Sequence, residues 1–281
     1  VTEVLLDVQA IAKSYPPSTA SAGRMCAFLR LLFQGRSGGG KQVLSDISFD
    51  VRRGESVAVI GANGAGKSTL LKMVTGVLAP SEGQISRHGT SAALLELGAG
   101  FEPEYSGMEN LRMNAAFLGL SRQDVDARLD DILSFADIGD SIYEPIKHYS
   151  SCMVVRLGFA VVAAVRPDLL ITDEVLAVGD ESFQKKCIRW IENYLADGGT
   201  LLMVSHNMYQ VQKLCRRAMW LEGGQARAWG DVFDVTQAYL AWHERRDAEH
   251  KNARNHESGT TYTVRSLTIS GPDGSEIQRV E

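Results

Sequence analysis

The stretch Gly61-Ala62-Asn63-Gly64-Ala65-Gly66-Lys67-Ser68-Thr69 restricts the possible folds more than any other part of the chain. It matches G-x-x-x-x-G-K-[ST], and its context is the required one. An apolar run over residues 57–60 precedes it, and a helical pattern opens near Lys67. Glycines at these spacings let consecutive backbone N–H groups converge on one point, an anion-binding concavity that bulky residues do not permit. The helix behind it adds the positive end of its dipole. The motif is therefore expected as a phosphate cradle between a strand and a helix. Lys67 would reach the β- and γ-phosphates of a nucleotide, and the Ser68 hydroxyl would ligate Mg²⁺.

Two further apolar runs fit the same sheet. The strand expected over Leu169–Thr172 runs into Asp173-Glu174, and the strand expected over Thr200–Val204 runs into Ser205-His206. Asp173 is placed to hold Mg²⁺, directly or through water, and Glu174 to polarise an attacking water. Phosphoryl transfer asks mainly for positioning and charge neutralisation, so a carboxylate beside a metal is the expected machinery. Standing alone, the pair would read as two capping carboxylates; beside the phosphate loop it does not. His206 would bring a ring nitrogen to the γ-phosphate or orient Glu174, although a lone His at a strand end is more often structural.

Residues 4–11 and 43–51 alternate as strands do and are rich in β-branched residues. Between them, about residues 16–42 form an insertion. Pro16 to Gly23 is Pro/Ser-rich, Met25, Phe28, Leu29 and Leu32 recur at helical spacing, and residues 35–40 are Gly-rich, so a short amphipathic helix on two loose tethers is expected. Residues 104–164 read as mostly helical, including one helix over 122–136. Strands alternating with helices imply an α/β fold with a largely parallel sheet. Beyond residue 243, residues 244–258 are highly charged, a linker or solvated helix, and residues 259–281 carry a hairpin: strands over 261–269 and 275–280 around Gly271-Pro272-Asp273-Gly274. A lone hairpin is marginal in water.

Composition narrows the function classes. A chain of 281 residues with 44% apolar content supports one sizeable core and an appendage. Its net charge of −5 offers no electrostatic footprint for nucleic acid, so no nucleic-acid partner is expected. The cysteines, Cys26, Cys152, Cys187 and Cys215, form no metal-ligand spacing and read as thiols of a reducing compartment. No signal-peptide pattern opens the sequence, and no apolar run approaches the roughly 18 residues of a membrane helix. Any path across a bilayer must come from another chain.

The phosphate loop, the carboxylate strand and His206, in this order, resemble an ABC-type ATPase. The resemblance covers about residues 4–240, and what separates that family from other P-loop proteins is a signature segment, here Tyr149-Ser150-Ser151-Cys152-Met153. It implies a RecA-like lobe with a parallel sheet, an antiparallel β edge and a helical lobe over about 102–164, in an ATPase domain spanning 1–243. It further implies that ATP and Mg²⁺ are sandwiched in a head-to-tail homodimer. Ser150, Ser151, Cys152 and Met153 of one copy would meet the ATP held by the other, and Asp180 of Ala177-Val178-Gly179-Asp180 would lie at the dimer interface. Tyr15 falls where an aromatic ring stacks on adenine in this family, and His206 where a histidine senses the γ-phosphate.

Leu94-Leu95-Glu96-Leu97-Gly98-Ala99-Gly100-Phe101, Tyr149-Ser150-Ser151, the run from Asp173 to Asp180 and Phe183-Gln184-Lys185-Lys186-Cys187 resemble more narrowly the ATPases that export O-antigen, capsule and teichoic acid. That resemblance implies a lipid-linked polysaccharide as cargo, an integral-membrane permease as partner, docked around residues 101–114, and a place on the cytoplasmic face of the cytoplasmic membrane, peripheral through the permease. The helix over about 24–33 would lie by the membrane face or pack on its own domain. The C-terminal hairpin resembles the start of a β-sandwich that binds the glycan in some exporters.

The chain departs from the family twice. Cys152 stands where the signature carries Gly, and a Cβ and sulfur there crowd the backbone's approach to the partner's γ-phosphate. The loop joining the lobes lacks the family's usual Gln, as polysaccharide exporters often do. Four other readings remain at this point: another ABC exporter, an importer of sugars or amino acids, a slow or inactive nucleotide-sensing module made so by Cys152, and a soluble ABC ATPase acting on ribosomes or DNA. The single cassette and acidic balance weigh against the last.

Overall fold

The computed structural model describes residues 3–15, 41–94, 97–98, 100–173, 180–257, 267–270 and 276–280, with side chains described up to residue 246. The amphipathic insertion over 24–33, Glu174 and the run 177–179 lie outside these residues. Two compact units divide the chain, Val1–Thr236 and Gln237–Glu281.

In the first unit, a three-stranded antiparallel sheet has the order β2-β1-β4, from β1 (Val4–Tyr15), β2 (Lys41–Arg52) and β4 (Glu82–Arg87). A six-stranded sheet has the order β5-β6-β7-β3-β8-β9, from β3 (Ser56–Ile60), β5 (Ser91–Ala93), β6 (Leu169–Thr172), β7 (Thr200–Val204), β8 (Arg217–Glu222) and β9 (Gln225–Asp231). All its pairings are parallel except the antiparallel edge pair β8–β9. Every residue of β3, β6 and β7 is buried. That is why these strands read as continuous apolar runs rather than alternating ones: helices or the second sheet cover both faces. The first core joins both sheets to helix α1 (Lys67–Val74) through Leu5, Leu44, Val59, Leu71 and Leu202.

A second core holds the helical lobe together through residues such as Leu111, Val125, Ile132, Ile142 and Leu157. Its helices are α2 (Gly107–Phe117), α3 (Arg122–Ala127), α4 (Leu129–Ala136) and α5 (Ser151–Val165). Ser106 with Glu109 and Ser121 with Asp124 form reciprocal capping boxes that start α2 and α3. The single helix expected over 122–136 is instead two. Arg128 leaves helical geometry at φ −113° and ψ 6°, and its guanidinium donates to the Ala164 carbonyl at the far end of α5. Helical periodicity survives such a break because the apolar face continues on both sides. Helix α5 ends at Arg166, in left-handed geometry at φ 49°, ahead of Pro167. Helix α6 (Glu181–Ala196) then leads to β7, and α7 (Met208–Leu214) to β8.

The charged stretch 244–257 is helical, the later part of α8 (Val232–Glu257). In the second unit, β10 (Leu267–Ser270) pairs antiparallel with β11 (Glu276–Val280). Residues 261–266 of the longer expected strand lie outside the described residues.

Candidate functional site

Strands β6, β7 and β3 are parallel neighbours, so their C-terminal ends share one edge of the sheet. The pairs Thr172↔Met203 and Val59↔Val204 fix the register. Asp173 follows β6, His206 follows β7, and Gly61 follows β3, so the topology brings to one edge three residues far apart in sequence. Ligands of open α/β sheets bind at this carboxyl edge.

The loop there can be built only from glycine at its tightest points. Gly66 has φ +107°, and a Cβ on it would lie 2.6 Å from Leu44 Cδ2. Gly61 has φ +152°, and a Cβ on it would lie 2.3 Å from the Leu221 carbonyl oxygen. Lys67 opens α1 and is buried at 8% exposure, and its Nζ donates to the carbonyl oxygens of Gly61 at 2.7 Å and Ala62 at 3.3 Å. A buried ammonium requires such oxygen partners. A cavity of about 560 Å³ opens over the loop, lined among others by Lys41, Asn63, Gly64, Lys67, Ser68 and Asp173. Ser68 and Asp173 thus face one space from two different elements.

Tyr15 is the last residue of β1, pairs with Lys41 and is 41% exposed. It therefore stands one strand away from a residue lining that cavity, and Lys13 Nζ lies 5.6 Å from its ring centroid. His206 is exposed just beyond β7. Ser150 caps α5, its hydroxyl accepting from the Met153 amide at 3.3 Å, and Ser151 and Cys152 form the first turn. None of the residues 150–153 lines the cavity over the loop. Asp180 caps α6, accepting from the Phe183 amide at 2.9 Å. The expected residues thus form two groups: the loop, Asp173 and His206 at the sheet edge, and residues 150–153 at a separate helix start.

A second cavity of about 320 Å³ adjoins the first, sharing Ser68 and Asp173, and runs between the lobes along Leu71, Phe101, Phe117 and Val161. The loop joining the lobes packs tightly onto α5 here: a Cβ on Gly158 would lie 3.3 Å from Leu97 Cβ. Cys187 and Cys215 have thiols pushed up to about 12 by burial, which makes them unreactive.

Residues 44–177 match the family model for ABC transporters. The O-antigen export system ATP-binding protein RfbB of Klebsiella pneumoniae is 50% identical over 196 residues, which cover 70% of this chain and 80% of the relative. The chain belongs to the ATP-binding subunits of ABC transporters. It is an ABC ATPase. The teichoic acids export ATP-binding protein TagH of Bacillus cereus is 43% identical over 199 residues, covering 71% of this ATPase and 36% of the relative. A solved ATP-binding subunit of an ABC transporter superposes with a TM-score of 0.69 at 25% identity, covering 84% of this chain and 93% of that one. The dimeric post-hydrolysis ATP-binding cassette MJ0796, bound to ADP and Pi, has the same fold, with a TM-score of 0.63 at 16% identity and coverages of 81% and 99%.

Sequence reasoning passed over one residue of this ATPase that the structure makes prominent. Arg156 lies within α5, a helix otherwise nearly free of charge, and its side chain is only 15% exposed. A lone, largely buried charge on an apolar helix needs a partner, and that signal was available.

Proposed function

We propose that this chain binds MgATP on residues 61–69, hydrolyses it between two head-to-tail copies of itself, and so powers a membrane permease that exports a lipid-linked surface polysaccharide. The observation that carries the site is the convergence of the Gly61 loop, Asp173 and His206 on one sheet edge. The cargo rests on the O-antigen and teichoic-acid export systems to which the relatives' names refer.

The loop amides and the α1 dipole bind the phosphates, and Lys67 exchanges its backbone oxygens for phosphate oxygens of opposite charge. Tyr15 stacks on the adenine. The residues present fit Mg²⁺, which takes few protein ligands and completes its shell with phosphate and water. Among the described residues there is no cluster of three acidic, His or Cys side chains that would cage a metal alone, whereas Ser68 and Asp173 line one cavity with the phosphate loop. When bound, Mg²⁺ neutralises charge on the phosphates. Glu174 holds the attacking water, and His206 meets the γ-phosphate. Residues 150–153, which stand apart from this chain's own cavity, cover the nucleotide of the second copy. No helix among the described residues is long and apolar enough to cross a membrane. The export systems in the relatives' names support a separate permease as partner, with this chain on the cytoplasmic face of the membrane through it.

Reconstitution with its cognate permease in proteoliposomes tests the reading. ATP hydrolysis is expected to rise when lipid-linked polysaccharide is supplied, and Lys67→Ala to abolish both hydrolysis and export. Hydrolysis indifferent to the glycan but stimulated by another cargo would retain the ATPase and remove the polysaccharide.

A further inference from the structure

Arg156, on α5, touches two other helices at once, the end of α4 and the start of α6. Its Nη2 donates to Asp180 Oδ2 at 2.6 Å, and its Nη1 donates to Asp137 Oδ2 at 3.2 Å and to the Asp137 carbonyl at 3.1 Å. The guanidinium lies 5.0 Å from the Phe183 ring centroid. Asp137 closes α4 in left-handed geometry, so the cation also meets the negative end of that helix. Asp180 uses one oxygen to cap α6 and the other to receive Arg156. The planar fork of Arg makes such a two-way grip; the point charge of Lys does not. The Arg156 contact, with the cap, also holds the Asp180 carboxyl below its usual range.

The position of Arg156 on α5 gives this grip its meaning. Arg156 follows Cys152 by four residues, so both lie on one face of the helix. That face begins with the signature segment and is fastened to Asp180. A second tie, Lys186 Nζ to the carbonyls of Ser134 at 2.8 Å and Phe135 at 3.0 Å, joins α6 to α4 without touching α5. The lobe can therefore lose the Arg156 bond and keep α6 attached.

We propose that Arg156 is a positioning residue that fastens the signature segment to Asp180, so that the two parts of this subunit facing the second copy move as one body when the dimer closes. The proposal rests on the ATP-sandwich reading above. It predicts that breaking the bond weakens dimer closure and leaves the chain's own nucleotide site untouched, because Arg156 does not line the phosphate cavity.

The full chain carrying Glu174→Gln, which holds ATP unhydrolysed, provides the assay. Affinity for a fluorescent ATP analogue is measured at protein concentrations that keep it monomeric, and MgATP-driven dimerisation by sedimentation. Arg156→Gln and Asp180→Asn are each expected to raise the dimer dissociation constant by about tenfold, the scale of one charge-assisted hydrogen bond, with the double variant no worse than either single. Monomer affinity should change by less than about twofold, and Arg156→Lys should fall between. Lys186→Met should lower the melting temperature yet leave dimerisation within about twofold of the parent. Unchanged dimerisation in Arg156→Gln, or equal loss in Lys186→Met, overturns the positioning role. A parent that stays monomeric with MgATP overturns the sandwich reading instead.

Discussion

The backbone of Gly61 runs against the carbonyl oxygen of Leu221, so closely that a Cβ would lie 2.3 Å from that oxygen. β3 and β8 are parallel neighbours, and the phosphate loop leaves β3 across the end of β8. Any residue but glycine must push the loop off the sheet. Gly61→Ala is therefore expected to weaken MgATP binding by tenfold or more, about the effect of 1–3 kcal/mol of overpacking, with the far-ultraviolet spectrum unchanged. Binding by calorimetry decides this, and wild-type affinity would show that the loop tolerates displacement.

Cys152 occupies the second position of α5, where the family carries glycine. In the proposed ATP sandwich its side chain would crowd the partner's nucleotide, so Cys152→Gly is expected to raise the turnover number by on the order of tenfold. The helix loses less than about 1 kcal/mol, the propensity difference of glycine near a terminus. Steady-state hydrolysis of the two forms at saturating MgATP is the check. Equal rates would mean that the dimer closes with room for sulfur.

Tyr15 stands exposed at the end of β1 beside Lys41. A base stacked on an aromatic ring gains about 1–3 kcal/mol. Tyr15→Ala should weaken ATP binding about tenfold, while Tyr15→Trp should retain it. Inorganic triphosphate should bind both variants as it binds the wild type, since it carries no base.

Asp168 fastens the start of β6 to two other elements. It accepts from the Thr90 amide at 2.8 Å, from Thr90 Oγ1 at 2.9 Å and from Arg53 Nη1 at 2.6 Å. The Thr90 backbone bond, with the bonds from Arg53 and the Thr90 hydroxyl, lowers its carboxyl from 3.8 to about 2. A depressed carboxylate stabilises the fold above its unfolded pKa, and that contribution disappears as pH falls through the folded one. The melting temperature should thus drop between about pH 4 and pH 2 through this group, and Asp168→Asn should flatten that part of the curve. Near neutrality the substitution should cost about 1 kcal/mol, since Arg53 is partly exposed and screened. A wild-type profile with the same slope as the variant would remove Asp168 from the acid response.

The parts of the fold legible in the sequence were those whose local pattern and tertiary role agree. Leu169–Thr172 and Thr200–Val204 read as strands with their observed bounds because buried central strands are short, apolar and ended by polar residues. The Gly61 loop was legible because its glycines and Lys67 answer a geometric demand that leaves a mark in sequence. The break at Arg128 was not, since it depends on a carbonyl of α5 brought close only by folding. Nor was the link from Arg156 to Asp180, a bond between residues 24 apart in sequence. Asp173 and His206 could be named from their strand ends, but their meeting on one edge follows from the order β6-β7-β3, which no local pattern states.

Residues 61–69 are proposed to hold the triphosphate of ATP, with Lys67 bearing its charge. Calorimetric titration of the full chain with MgATP, beside Lys67→Ala, tests it most directly. A saturable site is expected in the wild type, with a loss of at least tenfold in affinity in the variant, the scale of a charge-assisted contact. Equal affinity in the two proteins would place the nucleotide elsewhere and contradict it.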